Sequence, residues 1–155
     1  MERAQVLRKC DIFHELSDAQ LQAVSKTCRV KIFEPGEMIC KQDTEGETIH
    51  IIEDGSAGIF LEVGPLSQRQ VQAASNFDAV GWSSMIEPHE YTAAVIALEK
   101  TKTLAIDRHV LTDLCIADSE LGRKVYKGIA RVVARRLRAA YAQLIGIPLP
   151  DDLAS

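Results

Sequence analysis

The sequence predicts an α+β fold: about eight short antiparallel strands in a β-roll, a jelly-roll barrel, flanked by N-terminal helices and one long C-terminal helix. Three observations predict it. Residues 28–107 are a run of short apolar or alternating segments punctuated by Gly, Pro, Asn and Asp, the pattern of a barrel or jelly roll. A helix-capping pattern precedes that run at Ser17. After it, Ser119 to Gly146 keeps apolar residues on one helical face without a break.

Taken in order, Glu2 to Asp11 is compatible with a helix whose Val6 and Leu7 pack on a core. Ser17 and Gln20 are spaced as a capping box for a second helix, with Leu21 and Val24 on its apolar side. Arg29 to Phe33 alternates polar and apolar residues, as a half-buried strand does. Pro35-Gly36 turns the chain, Met38-Ile39-Cys40 extends again, and Gly46 lies in the next turn. Thr48 to Glu53 is a strand, Asp54-Gly55 a hairpin signal, and Ser56 to Val63 its partner. Gly64-Pro65 is expected to break that strand, with pairing resumed at Val71 to Ala74. Thr92 to Leu98 and Thr103 to Asp107 complete the strands, and Val110 to Ile116 is a short helix. Ser119, beside Asp118, is positioned to cap the long helix, and Gly146 and Pro148 end it. The expected division is 1–27 for the first helices, 28–107 for the roll, 109–146 for the last helices and 147–155 for a tail.

At 155 residues, 46% of them apolar and 26% charged, the chain has the size and composition of one globular domain. No apolar run approaches the ~20 residues of a membrane span, and the N-terminus lacks a secretory pattern, so no membrane association and a cytoplasmic location are expected. Cys10, Cys28, Cys40 and Cys115 have no metal-ligand spacing and are read as small core residues. The net charge of −4 conceals an asymmetry: Ser119 to Gly146 has seven basic residues against the single acid Glu120. Arg123, Lys124, Lys127, Arg131, Arg135 and Arg138 share a helical face opposite Val125, Ile129, Val132, Val133, Leu137, Ala140 and Leu144, while Arg136 projects towards the apolar side. That basic face is a solvated surface, a docking face for an acidic partner or for the protein's own acidic body, or a weak nucleic-acid contact.

The stretch with most chemical content is Gly81 to Val95. A glycine leads into a short helical segment, whose first N–H groups are unpaired and favour an anion, followed by a corner at Pro88 and a strand. This spacing resembles the phosphate-binding cassette of the cyclic-nucleotide-binding domains, including the sensor half of the catabolite-activator (Crp-Fnr) type. The resemblance extends to Ile12-Phe13-x-x-Leu16-Ser17, to Gly36-Glu37-x-Ile39-x-x-Gln42, to Ile49-x-Ile51-Ile52-x-x-Gly55 and to Ala134-Arg135-Arg136-Leu137. It covers about residues 12–145, and it implies the β-roll, a cassette at 80–95, and a long helix that covers the pocket and pairs with its twin in a homodimer.

The departures are chemical. The family's ribose-holding glutamate falls on Trp82 and its phosphate-pairing arginine on Tyr91; Asp43-Thr44 stands where the family has Gly-Asp. Trp82 and Tyr91 either fill the old pocket or line one for a flatter, less charged ligand. The base-contacting hydroxyls of the family fall near Ala140, which offers none, and Tyr141, which offers one. The expected ligand-binding residues are therefore Val80, Gly81, Trp82, Ser83, Ser84, Tyr91, Thr92 and Tyr141, with no catalytic or metal-binding residue and no cofactor. His50 replaces a family tyrosine on a strand and is read as a structural histidine; His89 is read as solvated. No helix-turn-helix follows the long helix, so no specific DNA binding is expected of this chain. The implied function is a non-enzymatic regulatory or sensor domain that binds cyclic AMP or GMP poorly or takes another small molecule. The alternative is a ligandless dimerisation or protein-interaction module.

Overall fold

A computed structural model describes residues 1–146, and the expected tail at 147–155 lies outside them. Helix α1 spans Arg3–Arg8 and α2 spans Asp18–Ser25. Ser17 Oγ accepts from Gln20 N while Gln20 Oε1 accepts from Ser17 N, so the capping box forms as the spacing predicts. Eight strands follow: β1 (Arg29–Phe33), β2 (Met38–Cys40), β3 (Thr48–Asp54), β4 (Ala57–Gly64), β5 (Ser67–Ala74), β6 (Ala79–Val80), β7 (Ala94–Ala97) and β8 (Thr101–Asp107). Helices α3 (Arg108–Ala117) and α4 (Ser119–Ile145) close the described chain.

The strands form two four-stranded antiparallel sheets, ordered β1-β8-β3-β6 and β2-β7-β4-β5. Successive strands mostly change sheet, which rolls the chain into the expected β-roll. On β3 the two-residue period sends Ile49 and Ile51 to a core shared with the helices and Ile52 to the inside of the roll. The helical core gathers Leu7, Phe13, Leu16, Leu21, Leu111, Leu121, Val125 and Ile129 around that sheet face. Inside the roll, Cys40, Ile52, Ala57, Val80, Tyr91 and Val95 make a smaller cluster.

Some boundaries differ from expectation, each for a local reason. Pro65-Leu66 is a hairpin turn, so β5 starts at Ser67 and pairs with β4 well before Val71. Asp118, not Ser119, caps α4 by accepting from Leu121 N at 3.1 Å, and Asp107 caps α3 by accepting from His109 N. Gln20 then bridges α2 to the start of α4, donating to Asp118 and accepting from Lys124 Nζ. The long helix sits so close to the N-terminal segment that a Cβ at Gly128 would lie 2.5 Å from the Ile12 carbonyl oxygen.

That seating resolves the basic face. Lys127 and Arg131 pair with Glu15, Arg135 with Asp11, and Lys124 with Glu120. Much of it docks on the protein's own acidic N-terminal segment, whereas Arg123 and Arg138 are exposed. The four cysteines are buried, and desolvation pushes the thiols of Cys10 and Cys40 up to about 12 and those of Cys28 and Cys115 to about 11. They are packing residues, not nucleophiles.

His50 is the structural histidine that the sequence suggested. It is buried, its Nδ1 lies 3.1 Å from Thr103 Oγ1, and Phe33 meets its ring edge-on. Burial, with Lys31 and Arg29 nearby, depresses its pKa from 6.5 to about 3. The unfolded chain therefore takes up this proton below about pH 6.5, and the folded chain does so only near pH 3. Stability contributed by neutral His50 is complete above that window and is lost as pH falls through it. Between pH 7 and pH 5 the loss amounts to about 2 kcal/mol. Urea unfolding at the two pH values, with His50→Gln as control, measures it. The wild-type loss should exceed that of His50→Gln by roughly this amount, and equal losses would refute the assignment.

Candidate functional site

Gly81 follows β6 with φ of 79° and leads directly into a single 3₁₀ turn, Trp82–Met85. A side chain at Gly81 would press on the Thr48 carbonyl oxygen at 2.7 Å and on the Tyr91 ring, so both conformation and space demand glycine here. Ser84 N and Ser84 Oγ both donate to the Gly81 carbonyl, which closes the turn. The N–H groups of Trp82 and Ser83 have no acceptor among the described residues, as expected at the start of a helical segment.

The corner that follows contains a cis Glu87-Pro88 peptide bond. His89, expected to be solvated, is half-buried and structural: its Nδ1 donates to the Ser84 carbonyl and its own carbonyl accepts from Gly46 N. Tyr91 is then held on all sides. Its backbone exchanges hydrogen bonds with Asp43 and Thr44, and its hydroxyl donates to the Thr48 carbonyl at 2.8 Å and accepts from Thr48 N at 3.2 Å. Burial, followed by the nearby Cys40 thiol, raises the phenol pKa, so Tyr91 stays neutral. The ring occupies a slot beside Gly46, Gly81 and Cys40.

Beyond that slot a cavity of about 450 Å³ remains between the roll and α4. Val80, Gly81, Trp82, Ser83, Tyr91 and Thr92 line it on the cassette side; Ile59, Leu61, Val71 and Gln72 line it from β4 and β5; Val133, Arg136, Leu137 and Ala140 line it from α4. Tyr91 thus fills part of the site, and Trp82 lines what is left. Ser84 does not line the cavity, being fully buried with its hydroxyl committed to Gly81. Tyr141 does not line it either and is 58% exposed. The reason is helical phase: Val133, Arg136, Leu137 and Ala140 follow the i, i+3, i+4, i+7 repeat, and Tyr141 falls one step further round.

Arg136 is the residue that the sequence only hinted at, through its position on the apolar side of the helix. Its Nη1 donates to Gln72 Oε1 at 3.2 Å and to the Ala73 carbonyl at 3.4 Å, and Gln72 Nε2 donates back to the Arg136 carbonyl. Desolvation lowers its pKa from 12.5, a tendency opposed by Asp78, and it remains a cation. Among the described residues it is the single charged side chain lining the cavity.

Comparison with known proteins fits this geometry. The family described as Cyclic nucleotide-binding domain matches residues 30–118. Among curated proteins, the cGMP-dependent protein kinase of Plasmodium berghei is 24% identical over 110 residues, which is 71% of this chain and 12% of that protein. The Drosophila melanogaster cGMP-dependent protein kinase, isozyme 1, is 26% identical over 137 residues, 84% of this chain and 17% of that protein. The chain thus spans well under a fifth of the length of these relatives. Among solved structures, a cyclic nucleotide-binding domain from Methylobacillus flagellatus superposes with a TM-score of 0.81 at 17% identity, covering 97% of this chain and 84% of that one. The Thermus thermophilus catabolite activator protein gives 0.72 at 22% identity over 86% and 61% of the two chains. The regulatory subunit of a cAMP-independent protein kinase A from Trypanosoma brucei gives 0.71 at 22% identity over 84% and 47%. The glycine-led turn, the two-sheet roll and the long covering helix are therefore those of the cyclic nucleotide-binding domain family, to which this chain belongs.

Proposed function

We propose that this is a non-catalytic regulatory domain whose cavity takes a small ligand other than cyclic AMP or cyclic GMP, and that occupancy is read out through α4. One observation carries the reading. A cavity of about 450 Å³ persists under α4, but Trp82 and Tyr91 stand where the family resemblance implies a glutamate and an arginine. The Tyr91 hydroxyl is spent on Thr48, so it offers nothing to a phosphate. Each missing charge-assisted contact forfeits roughly 1.5–3 kcal/mol. If the two losses add, a micromolar nucleotide site, worth about 8 kcal/mol, falls to the millimolar range or beyond.

The readout follows from how α4 is held. Its first half buries Leu121, Val125, Ile129 and Val132 in the core. Its second half is tied to β5 by Arg136 and Gln143 hydrogen bonds and roofs the cavity with Val133, Leu137 and Ala140. A ligand in the cavity touches that half directly. Trp82 is the only tryptophan and lines the site, so it reports on occupancy. Cyclic AMP or GMP titrated to about 100 μM should leave its emission unchanged, with calorimetry as a check for silent binding. The double variant Trp82→Glu/Tyr91→Arg, which gives up the tryptophan reporter, should gain cyclic-nucleotide binding that calorimetry detects. A saturable micromolar response in the wild type would refute the reading.

The dimerisation reading is favoured by a separate observation. Val125, Ile129 and Val132 are consumed by the core, so the stripe available to a second copy is Tyr126, Val133, Leu137, Tyr141 and Leu144, all exposed. These positions are separated by steps of seven, four, four and three residues, a seam that suits a twin helix. The domain should scatter light as a dimer at tens of micromolar (roughly 7 kcal/mol of association). Tyr126→Glu with Leu144→Glu, neither of which lines the cavity, should make it a monomer. A monomeric wild type at that concentration would remove this interface.

A further inference from the structure

Resting on the ligand-binding reading of the cavity, we infer that Arg136 is its recognition residue and that the ligand is a small amphipathic molecule with an apolar body and a single carboxylate-type head. Three features of the cavity lead there. Its walls are apolar over most of their extent: Ile59, Leu61 and Val71 from the sheet face Val133 and Leu137 from the helix, with the Trp82 indole beside them. Such walls favour a hydrocarbon or aromatic body and penalise a ribose, whose hydroxyls would be left without partners.

Against that apolar lining stands one guanidinium. The other half-buried basic residues of α4 each lie within 4.0 Å of a carboxylate: Lys124 with Glu120, Arg131 with Glu15, and Arg135 with Asp11. Arg136 makes no such pair among the described residues. Its Nη1 is occupied by Gln72 and Ala73, while its Nη2 and Nε have no acceptor among the described residues. Nη2 and Nε form the side-on fork that a carboxylate accepts with two parallel hydrogen bonds. Gln72, hydrogen-bonded to the guanidinium and to the Arg136 carbonyl, fixes the side chain at the cavity wall before any ligand arrives.

Charge sets a monoanion apart from a dianion, while the apolar walls disfavour the ribose of a cyclic phosphodiester. Among the described residues the cavity has one cationic side chain and no acidic one, so a monoanion is neutralised there. A dianionic phosphate would leave a charge uncompensated among apolar walls. The head group therefore sits on the helix side, and ligand binding ties α4 to the roll through the ligand's own carboxylate.

The test uses two probes of the same length, octanoate and octanamide, titrated into the full chain at pH 7.5 by calorimetry with Trp82 emission in parallel. Octanoate should bind at one site, and octanamide about ten- to a hundredfold more weakly, the range expected for one charge-assisted contact. Arg136→Gln should abolish the difference between the probes, and Arg136→Lys should keep part of it. Should Arg136→Gln fail to fold by circular dichroism, the two-probe comparison on the wild type still decides. Equal binding of both probes by wild type and Arg136→Gln overturns the inference and leaves the cavity reading intact. Binding of neither up to about 1 mM overturns both.

Discussion

The Tyr91 hydroxyl, hydrogen-bonded to both the carbonyl and the N–H of Thr48, is the contact on which the site depends. It joins the corner after the 3₁₀ turn to the start of β3, across a gap that would otherwise leave two main-chain polar groups partly buried and unpaired. The ring can reach Thr48 only because Gly46 and Gly81 offer it no side chain; a Cβ at either would come within 3.1 Å of Tyr91 Cε1. Two glycines and one tyrosine thus define a slot, and the cavity is what the slot leaves over. An arginine at this position would carry its charge into the cavity, whereas the tyrosine turns its one polar atom onto the protein's own backbone. The apolar character of the site is therefore built into the clamp that holds it together.

The long helix divides at the same place. Up to Val132 it is held by burial: Leu121, Val125 and Ile129 are each almost wholly removed from solvent, worth about 1.5–3 kcal/mol apiece. Gly122 and Gly128 let the backbone approach Cys115 and Ile12 at distances that no side chain tolerates. Past Val132 the ties to β5 are hydrogen bonds from Arg136, Gln72 and Gln143, each worth roughly 0.5–1.5 kcal/mol. One helix has a fixed half and a half held by weaker, replaceable contacts. The cavity lies under the second.

Much of this was legible in the sequence because it is written in local patterns. The capping box at Ser17, the alternation on β3 and the glycine-led turn at Gly81 each depend on neighbours a few residues away, and each formed as read. The roll itself followed from turn spacing and was strengthened by the framework Gly36-Glu37-x-Ile39 and Ile51-Ile52-x-x-Gly55. What local patterns missed were contacts between distant segments. Tyr91 was legible as a lost arginine, but not as a hydroxyl aimed at Thr48, forty-three residues away. Tyr141 enters the expected site through the family resemblance, which puts base-contacting hydroxyls near it; in the fold it lies off the cavity-lining phase of α4 and is exposed. Val125 and Ile129 belonged to a stripe broad enough for two partners, and only the packed fold assigns them to the core. Arg136 carried a signal in its helical phase alone, and its meaning needed Gln72 across the gap.

Val133 and Leu137 belong to two surfaces at once. Both line the cavity, and both, at 38% and 48% exposed, also belong to the stripe available to a second copy. In the proposed reading, a ligand that packs against these two side chains would also set the surface they present to a second copy. Any coupling free energy between ligand and second copy is reciprocal, so a dimer would also tighten the ligand by the factor that the ligand tightens the dimer. The two proposed activities are then one equilibrium seen from either side of the same two side chains. Trp82 lines the cavity from the cassette, and the second half of α4 carries Arg136 between them in sequence. In the proposed reading, a carboxylate on that guanidinium would add a tie between helix and roll to those that Gln72 and the backbone of β5 already make. On that same reading, the work that the family resemblance gives to a cassette arginine would pass to an arginine on the covering helix.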